Sequence, residues 1–359
     1  MAVRSIAGRE KISDTDEDLR KLLEARKADI KVIGVGGAGN NTISRMMQVG
    51  IVGAQILAAN TDAQDLLYTD ADEKVLLGKD LTRGLGAGAD PKVGCESARE
   101  SREMIKEVLQ GGDMVFITCG LGGGTGTGAS PVIAEIAKKM GLLTVGVVTL
   151  PFTMEGKQRM ENARYGLEEL EKNVDTLIVI PNDKLLEIVP DVSIVTAFKI
   201  CDEILVNAVK GVTELVTKPG LVNLDFADIR AVMTAGGLAM IGLGESNTEN
   251  RALEAVEKAL NNPLLDVEID GACGALVNVS GGTDVTIKEC QEIVEAISAK
   301  ISPDAKIIWG AQIEKDMGEM VRALIIVTGV KASQLYGTGT FFSTEKQQQI
   351  EKILGIEFV

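Results

Sequence analysis

Two glycine-rich segments have the composition and setting to hold phosphate. Gly34-Val35-Gly36-Gly37-Ala38-Gly39-Asn40-Asn41 follows an apolar run and opens a helical pattern. Gly120-Leu121-Gly122-Gly123-Gly124-Thr125-Gly126-Thr127-Gly128 does the same, and all of it but Leu121 is Gly or Thr. Glycine lets the backbone approach an anion, and the helix that follows presents free N–H groups and a partial positive charge. The threonine hydroxyls add donors and an oxygen for a metal ion. Taken alone, the first segment also fits a dinucleotide fingerprint, Gly34-x-Gly36-x-x-Gly39 with Asp62 ending the next strand, or a plain tight turn. A Rossmann-type NAD(P)-dependent oxidoreductase is therefore the rival reading, but it leaves the second segment unexplained. Two such turns at one sheet edge suggest a di- or triphosphate held from two sides. A third segment, Gly84–Pro91, is placed to close over the same ligand. No GxxxxGK[ST] occurs, so this is not a P-loop protein.

Three further sets have chemistry of their own. Glu155 and Arg159 lie four apart on one helical face, the spacing of an ion pair worth about 0.3–0.5 kcal/mol. Phe198 and Asp202 lie one turn apart and offer a ring and a carboxylate, or a core residue and a solvated one. Asp225 and Asp228 lie three apart, in the positions of an N-cap and a first-turn acid before a helix starting near Ile229.

Composition narrows the chemistry. The 359 residues include no His, which excludes Ser-His-Asp and Cys-His catalysis and His-ligated metals. With 52 acidic against 37 basic residues and 3% aromatics, nucleic acid is a poor partner. Cys95, Cys119, Cys201, Cys273 and Cys290 form no CxxC pair, so reduced thiols are expected rather than a zinc site or disulfides. No apolar run approaches the roughly 20 residues of a membrane span, and no apolar signal region opens the chain. The expectation is a cytoplasmic protein without membrane insertion.

Strands are expected at Ile30–Gly36, Gln55–Asn60, Lys74–Leu77, Asp113–Thr118, Leu142–Leu150 and Thr176–Ile180. Helices are expected at Cys95–Leu109, Ala129–Met140 and Glu155–Lys172. This alternation of Val/Ile-rich strands with helices predicts a parallel sheet covered on both faces. A helical pattern from about Val192 to Lys218, roughly 40 Å long, could be a spine between two domains. A smaller α/β unit follows. Its strands are Leu238–Leu243, Ala275–Val279, Lys306–Ala311 and Arg322–Thr328, its helices Glu249–Asn261 and Ile287–Lys300, and its sheet is expected to be mixed.

Gly122–Gly128 resembles the tubulin signature, and Ile33–Asn41 resembles the first nucleotide loop of FtsZ, the tubulin-like division GTPases of prokaryotes. The resemblance runs over roughly 30–330. It takes in Asn60-Thr61-Asp62, Gly84–Pro91, Pro151-Phe152 with Glu155–Arg159, Ile180-Pro181-Asn182-Asp183, and Gly220–Asp228. The N-terminal extension and the missing long linker make the chain most similar to archaeal members.

The resemblance implies a Rossmann-like GTPase fold with a parallel sheet, a long central helix and a smaller α/β C-terminal domain. The expected units are an N-terminal extension with a helix (1–29), a GTP-binding domain including the long helix (30–219), a catalytic loop with its helix (220–234), a C-terminal domain (235–330) and a tail (331–359). It implies GTP/GDP held by Gly37, Ala38, Gly39, Asn40 and Asn41, by Gly124, Thr125 and Gly126, and by Asn182. Glu155 would contact ribose, Arg159 phosphate, and Asp202 the guanine edge, with Phe198 against the ring. Mg²⁺ would sit on the phosphates, with no direct protein cage. Asp225 and Asp228, with Asn223, would polarise water at the nucleotide of a neighbouring subunit, which implies a head-to-tail homopolymer. That polymer would form the cytokinetic ring at the inner face of the membrane, with a membrane-tethering adaptor and division regulators. A tubulin-like protein for cell shape would share this chemistry. The tail, with Ile350, Ile353, Leu354, Ile356 and Phe358, fits either a reduced adaptor-binding helix or a segment packed on the body.

Overall fold

The computed structural model describes residues 28–188, 193–217, 225–234, 237–262, 264, 269 and 272–330. Residues 1–27 of the N-terminal extension, with the helix expected there, Asn223, and the tail from Lys331 lie outside the described residues.

The first half of the chain alternates strand and helix. It runs β1 (Ile30–Val35), α1 (Gly36–Val49), β2 (Ala54–Asn60), α2 (Ala63–Tyr68), β3 (Glu73–Leu76), α3 (Lys79–Thr82), α4 (Pro91–Glu100) and α5 (Arg102–Leu109). Then come β4 (Met114–Gly120), α6 (Thr125–Lys139), β5 (Leu143–Leu150), α7 (Lys157–Asn173), β6 (Thr176–Pro181) and α8 (Asn182–Ile188). The long helix is α9 (Ile194–Thr217), followed by α10 (Phe226–Thr234). The second half holds β7 (Gly237–Ser246), α11 (Arg251–Leu260), β8 (Gly274–Gly281), α12 (Ile287–Ser298), β9 (Lys306–Ile313) and β10 (Val321–Thr328).

The strands order as β3-β2-β1-β4-β5-β6-β7-β10-β8-β9 in one sheet. The first six are parallel. The mixed sheet of the second half has β10 antiparallel to both β7 and β8, and β8 parallel to β9. It is continuous with the first through β6 and β7, paired in parallel from Thr176↔Gly237 to Ile178↔Ala239. Every residue of β1 is buried. Its neighbours Val32 and Ile33 enter different apolar clusters, because successive side chains leave opposite faces of a strand. Both faces are therefore covered, as a parallel sheet requires.

The helix expected at Cys95–Leu109 is two helices. They break at Ser101, whose hydroxyl accepts the Gly78 N–H at 2.9 Å. The spine α9 packs on both halves of the sheet. A Cβ on Gly211 would stand 2.2 Å from the Leu324 side chain, and Asn278 Nδ2 donates to the Gly211 carbonyl at 3.1 Å. No helix among the described residues is long and apolar enough to cross a membrane.

Candidate functional site: a nucleotide cleft at the switch point of the sheet

The strand order reverses between β1 and β4, which are direct neighbours (Ile30↔Met114 to Gly34↔Thr118). In an open α/β sheet the crevice at the carboxyl ends of such strands is the ligand site. The first glycine turn follows β1 and the second follows β4, so the two turns lie side by side. A Cβ on Gly36 would stand only 2.9 Å from the backbone nitrogen of Gly126. Gly36 also has φ +73°, the left-handed region that favours glycine. The two turns thus abut, and each opens a helix, α1 or α6.

A cavity of about 270 Å³ lies against them. Gly37 and Ala38 of the first turn line it, with Gly124, Thr125 and Gly126 of the second. Glu155, Arg159, Asn182, Phe198 and Asp202 complete the expected set on its walls. Three expected residues do not line it. Gly39 sits under the turn, where a Cβ would meet the Thr118 carbonyl oxygen at 2.6 Å. Asn40 is buried, and its Nδ2 donates to Asp65 Oδ2 at 3.1 Å. Asn41 is exposed.

Hydroxyls and amides brace the turns from behind. Thr61 and Thr125 hydroxyls lie 2.6 Å apart, linking the loop after β2 to the second turn. Asp65 Oδ2 also accepts from Asn60 Nδ2 at 2.6 Å. The Thr127 hydroxyl accepts the Gly122 N–H at 2.9 Å. The segment Gly84–Pro91 packs against the second turn rather than lining the cavity, since a Cβ on Gly124 would meet Ala87 Cβ at 2.8 Å. Asp62, the acid of the dinucleotide alternative, caps α2 and accepts from Gln64 N at 2.9 Å and Asp65 N at 3.1 Å.

The walls carry the charged and aromatic groups. Glu155 and Arg159 form an ion pair with each other, and Glu155 Oε1 also accepts the Phe152 N–H at 2.8 Å. Phe198 is 43% exposed and meets Phe152 edge to face, centroids 5.4 Å apart. Burial pushes the Asp202 carboxyl up from the usual carboxylate range, while the Thr42 hydroxyl at 2.8 Å and Arg45 pull it back down. Asn182 Oδ1 accepts from Cys201 Sγ at 3.3 Å. Burial pushes that thiol up to about 12, so it stays protonated and remains a donor.

Sequence reasoning did not single out Thr42, Thr149, Cys201 or Leu205, which also line the cavity. Thr42 had a signal: it lies four residues after Ala38 on the same face of α1. Asp225 and Asp228 do not line the cavity. Asp225 immediately precedes α10, and its carbonyl accepts from Asp228 N at 3.0 Å and Ile229 N at 3.3 Å. Asp228 lies in the first turn, with Lys306 Nζ 3.2 Å from its Oδ1. Both aspartates are exposed.

Comparison with known proteins agrees with this geometry. The model of the Tubulin/FtsZ family GTPase domain matches residues 29–190, and that of the FtsZ family C-terminal domain matches 237–331. The chain is 65% identical over 320 residues to the cell division protein FtsZ 1 of Thermococcus kodakarensis, covering 89% of this chain and 86% of that one. It is 60% identical over 321 residues to that of Methanocaldococcus jannaschii, covering 89% and 88%. An empty FtsZ dimer of M. jannaschii superposes with TM-score 0.85 at 57% identity, covering 92% of this chain and 100% of that one. A GDP-bound CetZ1 monomer from Haloferax volcanii gives 0.74 at 25% identity, covering 85% and 95%. Matches and cleft together define a tubulin-like GTPase, whose nucleotide is a guanine nucleotide. Within that class the chain belongs to the FtsZ family, and the dinucleotide reading falls.

Proposed function

We propose that this chain is a cell-division GTPase that binds GTP in the cavity between its two glycine turns. It assembles head to tail and hydrolyses GTP where two subunits meet. The observation that carries the reading is the placement of the acids along α9. Asp202 lines the cavity near the start of that helix, whereas Asp225 follows its far end. Thr217 lies fifteen positions after Asp202 on α9, about 22 Å of helix. The glycine turns offer phosphate donors but no group to activate water. A neighbour stacked on the cleft would bring Asp225 and Asp228, with Asn223, to the γ-phosphate.

Gly37, Ala38, Gly39, Asn40 and Asn41 with Gly124, Thr125 and Gly126 cradle the phosphates. Arg159 contacts phosphate and Glu155 contacts ribose. Asn182, Phe198 and Asp202 take the base. The cavity suits Mg²⁺ in the hard oxygen ligands it offers: nucleotide phosphates and the Thr125 hydroxyl. When bound, Mg²⁺ would supply neutralisation of charge on the nucleotide phosphates. Residues 30–219 form the nucleotide unit, 220–234 the catalytic segment and 235–330 the C-terminal unit.

A contact joining the top of one subunit to the base of the next is heterologous and, without ring closure, makes a filament. The FtsZ dimer of M. jannaschii that superposes on this chain supports its self-association. The filament would work at the cytoplasmic face of the membrane at the division site, through a tethering adaptor and under division regulators. The deciding measurement is GTP turnover per subunit against protein concentration in Mg²⁺. A sharp onset above a critical concentration is expected. Constant turnover per subunit would mean a self-contained site, and Asp225 and Asp228 would need another task.

A further inference from the structure

Thr42 touches the base-side carboxylate of the cleft, yet no chemistry has been assigned to it. It is 1% exposed but lines the cavity. Its Oγ1 lies 2.8 Å from Asp202 Oδ1 and 3.1 Å from the Ala38 carbonyl. A hydroxyl has one proton to donate, and an ionised carboxylate is the stronger acceptor. The bond joins α1, which carries the first glycine turn, to α9, which carries the base-side wall, across 160 residues of sequence. Among the described residues Oδ2 of Asp202 has no hydrogen bond, and Oδ1 accepts only from Thr42, so the held carboxylate keeps acceptor sites on both oxygens for a ligand with two donors.

We propose that Thr42 is a positioning residue for base selection: its hydroxyl fixes one oxygen of Asp202 and so sets the preference for a purine with two adjacent donors, the ring N–H and the exocyclic amine of guanine. The inference rests on the placement of the guanine edge at Asp202. A free carboxylate rotates about χ2 and presents its oxygens to one donor or to two, whereas one pinned at Oδ1 offers a fixed edge.

The electrostatics give a second readout. Besides Thr42, the charged or titratable groups around Asp202 are Arg45 from α1 and Glu203 and Cys201 from α9; Glu155 and Arg159 also line the cavity. Burial raises the Asp202 carboxyl and the Thr42 hydroxyl lowers it. Base binding to the ionised form is complete well above that midpoint and is lost as pH falls through it. Removing the hydroxyl moves the midpoint up, so binding fails earlier on acidification.

The test uses the full chain with Thr42→Val, which keeps the shape and loses the hydroxyl, and Thr42→Ser, which keeps the hydroxyl. Affinities for GTP and for ITP, which lacks the exocyclic amine, are measured from pH 5 to 8. Expected for Thr42→Val is a loss of GTP affinity on the order of tenfold, a smaller loss for ITP, and an upward shift of the pH midpoint. Thr42→Ser restores all three. Asp202→Asn is expected to collapse the GTP-to-ITP ratio by itself, and Thr42→Val added to it should change the ratio no further. If Asp202→Asn collapses the ratio and Thr42→Val leaves ratio and midpoint at wild type, this inference fails and the base site stands. If Asp202→Asn leaves the ratio untouched, the base site fails, and this inference with it. Should Thr42→Val not fold, a Thr42→Ser ratio unlike wild type would overturn the proposal, and a wild-type ratio would support it.

Discussion

A Cβ on Gly128 would stand 1.9 Å from the carbonyl oxygen of Pro91 and 2.7 Å from the Cys95 nitrogen. Gly128 belongs to the second glycine turn's run into α6, and Pro91 opens α4 under an Asp90 cap (Lys92 N to Asp90 Oδ1, 2.9 Å). This glycine therefore serves helix packing, not phosphate. Gly123 is its opposite: a Cβ there meets nothing within 4 Å, and the residue lines the cavity. Gly128→Ala should lower stability by about 2–3 kcal/mol through overpacking, a drop of several degrees in Tm. Gly123→Ala should melt like wild type and bind GTP more weakly. Thermal melts with and without nucleotide separate the two, and equal melting points would contradict this division of labour.

Arg251 ties four segments of the second half together. Its Nε donates to Glu289 Oε1 at 2.6 Å and its guanidinium to Asp284 Oδ2 at 2.6 Å and to the Glu319 carbonyl at 2.7 Å. The Arg251 bond, with the backbone and hydroxyl of Thr286, holds the Glu289 carboxyl down at about 2, against an ordinary value of 4.5. A depressed carboxylate stabilises the fold above its unfolded value and loses that contribution as pH falls through the folded one. The loss therefore runs from about 4.5 down to about 2. Partial solvent access limits it to about 1–2 kcal/mol. Urea unfolding of wild type and Glu289→Gln at pH 6, 4 and 3 checks this. Wild type should weaken more steeply on acidification than the variant, and parallel slopes would refute it. Arg251→Ala, which leaves two carboxylates unpaired, should cost about 3 kcal/mol at neutral pH.

Arg159 and Glu155 pair with each other across one helical turn while both line the cavity. If Arg159 serves phosphate, Arg159→Ala should weaken GTP by roughly tenfold or more and leave the GTP-to-ITP ratio at wild type. That is the reverse of the pattern expected at Thr42. Competition binding of both nucleotides reads the two effects in one experiment, and a changed ratio in Arg159→Ala would place this arginine at the base instead.

Much of this was legible in the sequence because the strands are buried runs bounded by glycine. Ile30–Gly36 and Leu142–Leu150 read as strands from their apolar content alone, each within one residue of the observed Ile30–Val35 and Leu143–Leu150. The spine α9 came from its long helical period, within two residues at its N-terminal end. Short elements escaped. The six residues of α2 are held by the Asp62 cap, too few for a period to show. The break at Ser101 depends on a bond to Gly78, a distant residue that periodicity does not see. Nor did local pattern show that the two halves share one sheet, since the β6–β7 pairing joins strands more than 50 residues apart. In the cleft, the glycines announced themselves by density. Thr42 and Cys201 did not, because their roles are set by partners on other elements, Asp202 and Asn182.

Asp225 and Asp228 stand at the entry of α10, away from the cleft, and Asp228 is paired with Lys306 at 3.2 Å. Both partners of that pair are about half exposed, so its worth to the fold is about 1 kcal/mol at most. Replacing either aspartate should leave the subunit folded and its own cavity intact. Asp225→Ala is therefore expected to bind GTP with wild-type affinity and to hydrolyse almost none. Loss of binding together with turnover would mean that Asp225 acts within its own subunit. Mixing sharpens the test. On that reading a mutant subunit stacked on a wild-type pocket offers it Asp228 without Asp225, an incomplete set of acids, so each blocks a neighbour. Added to excess wild type, Asp225→Ala should depress turnover per wild-type subunit, increasingly with the mutant fraction. Turnover that tracks only the amount of wild-type protein present would rule out a site built from two subunits.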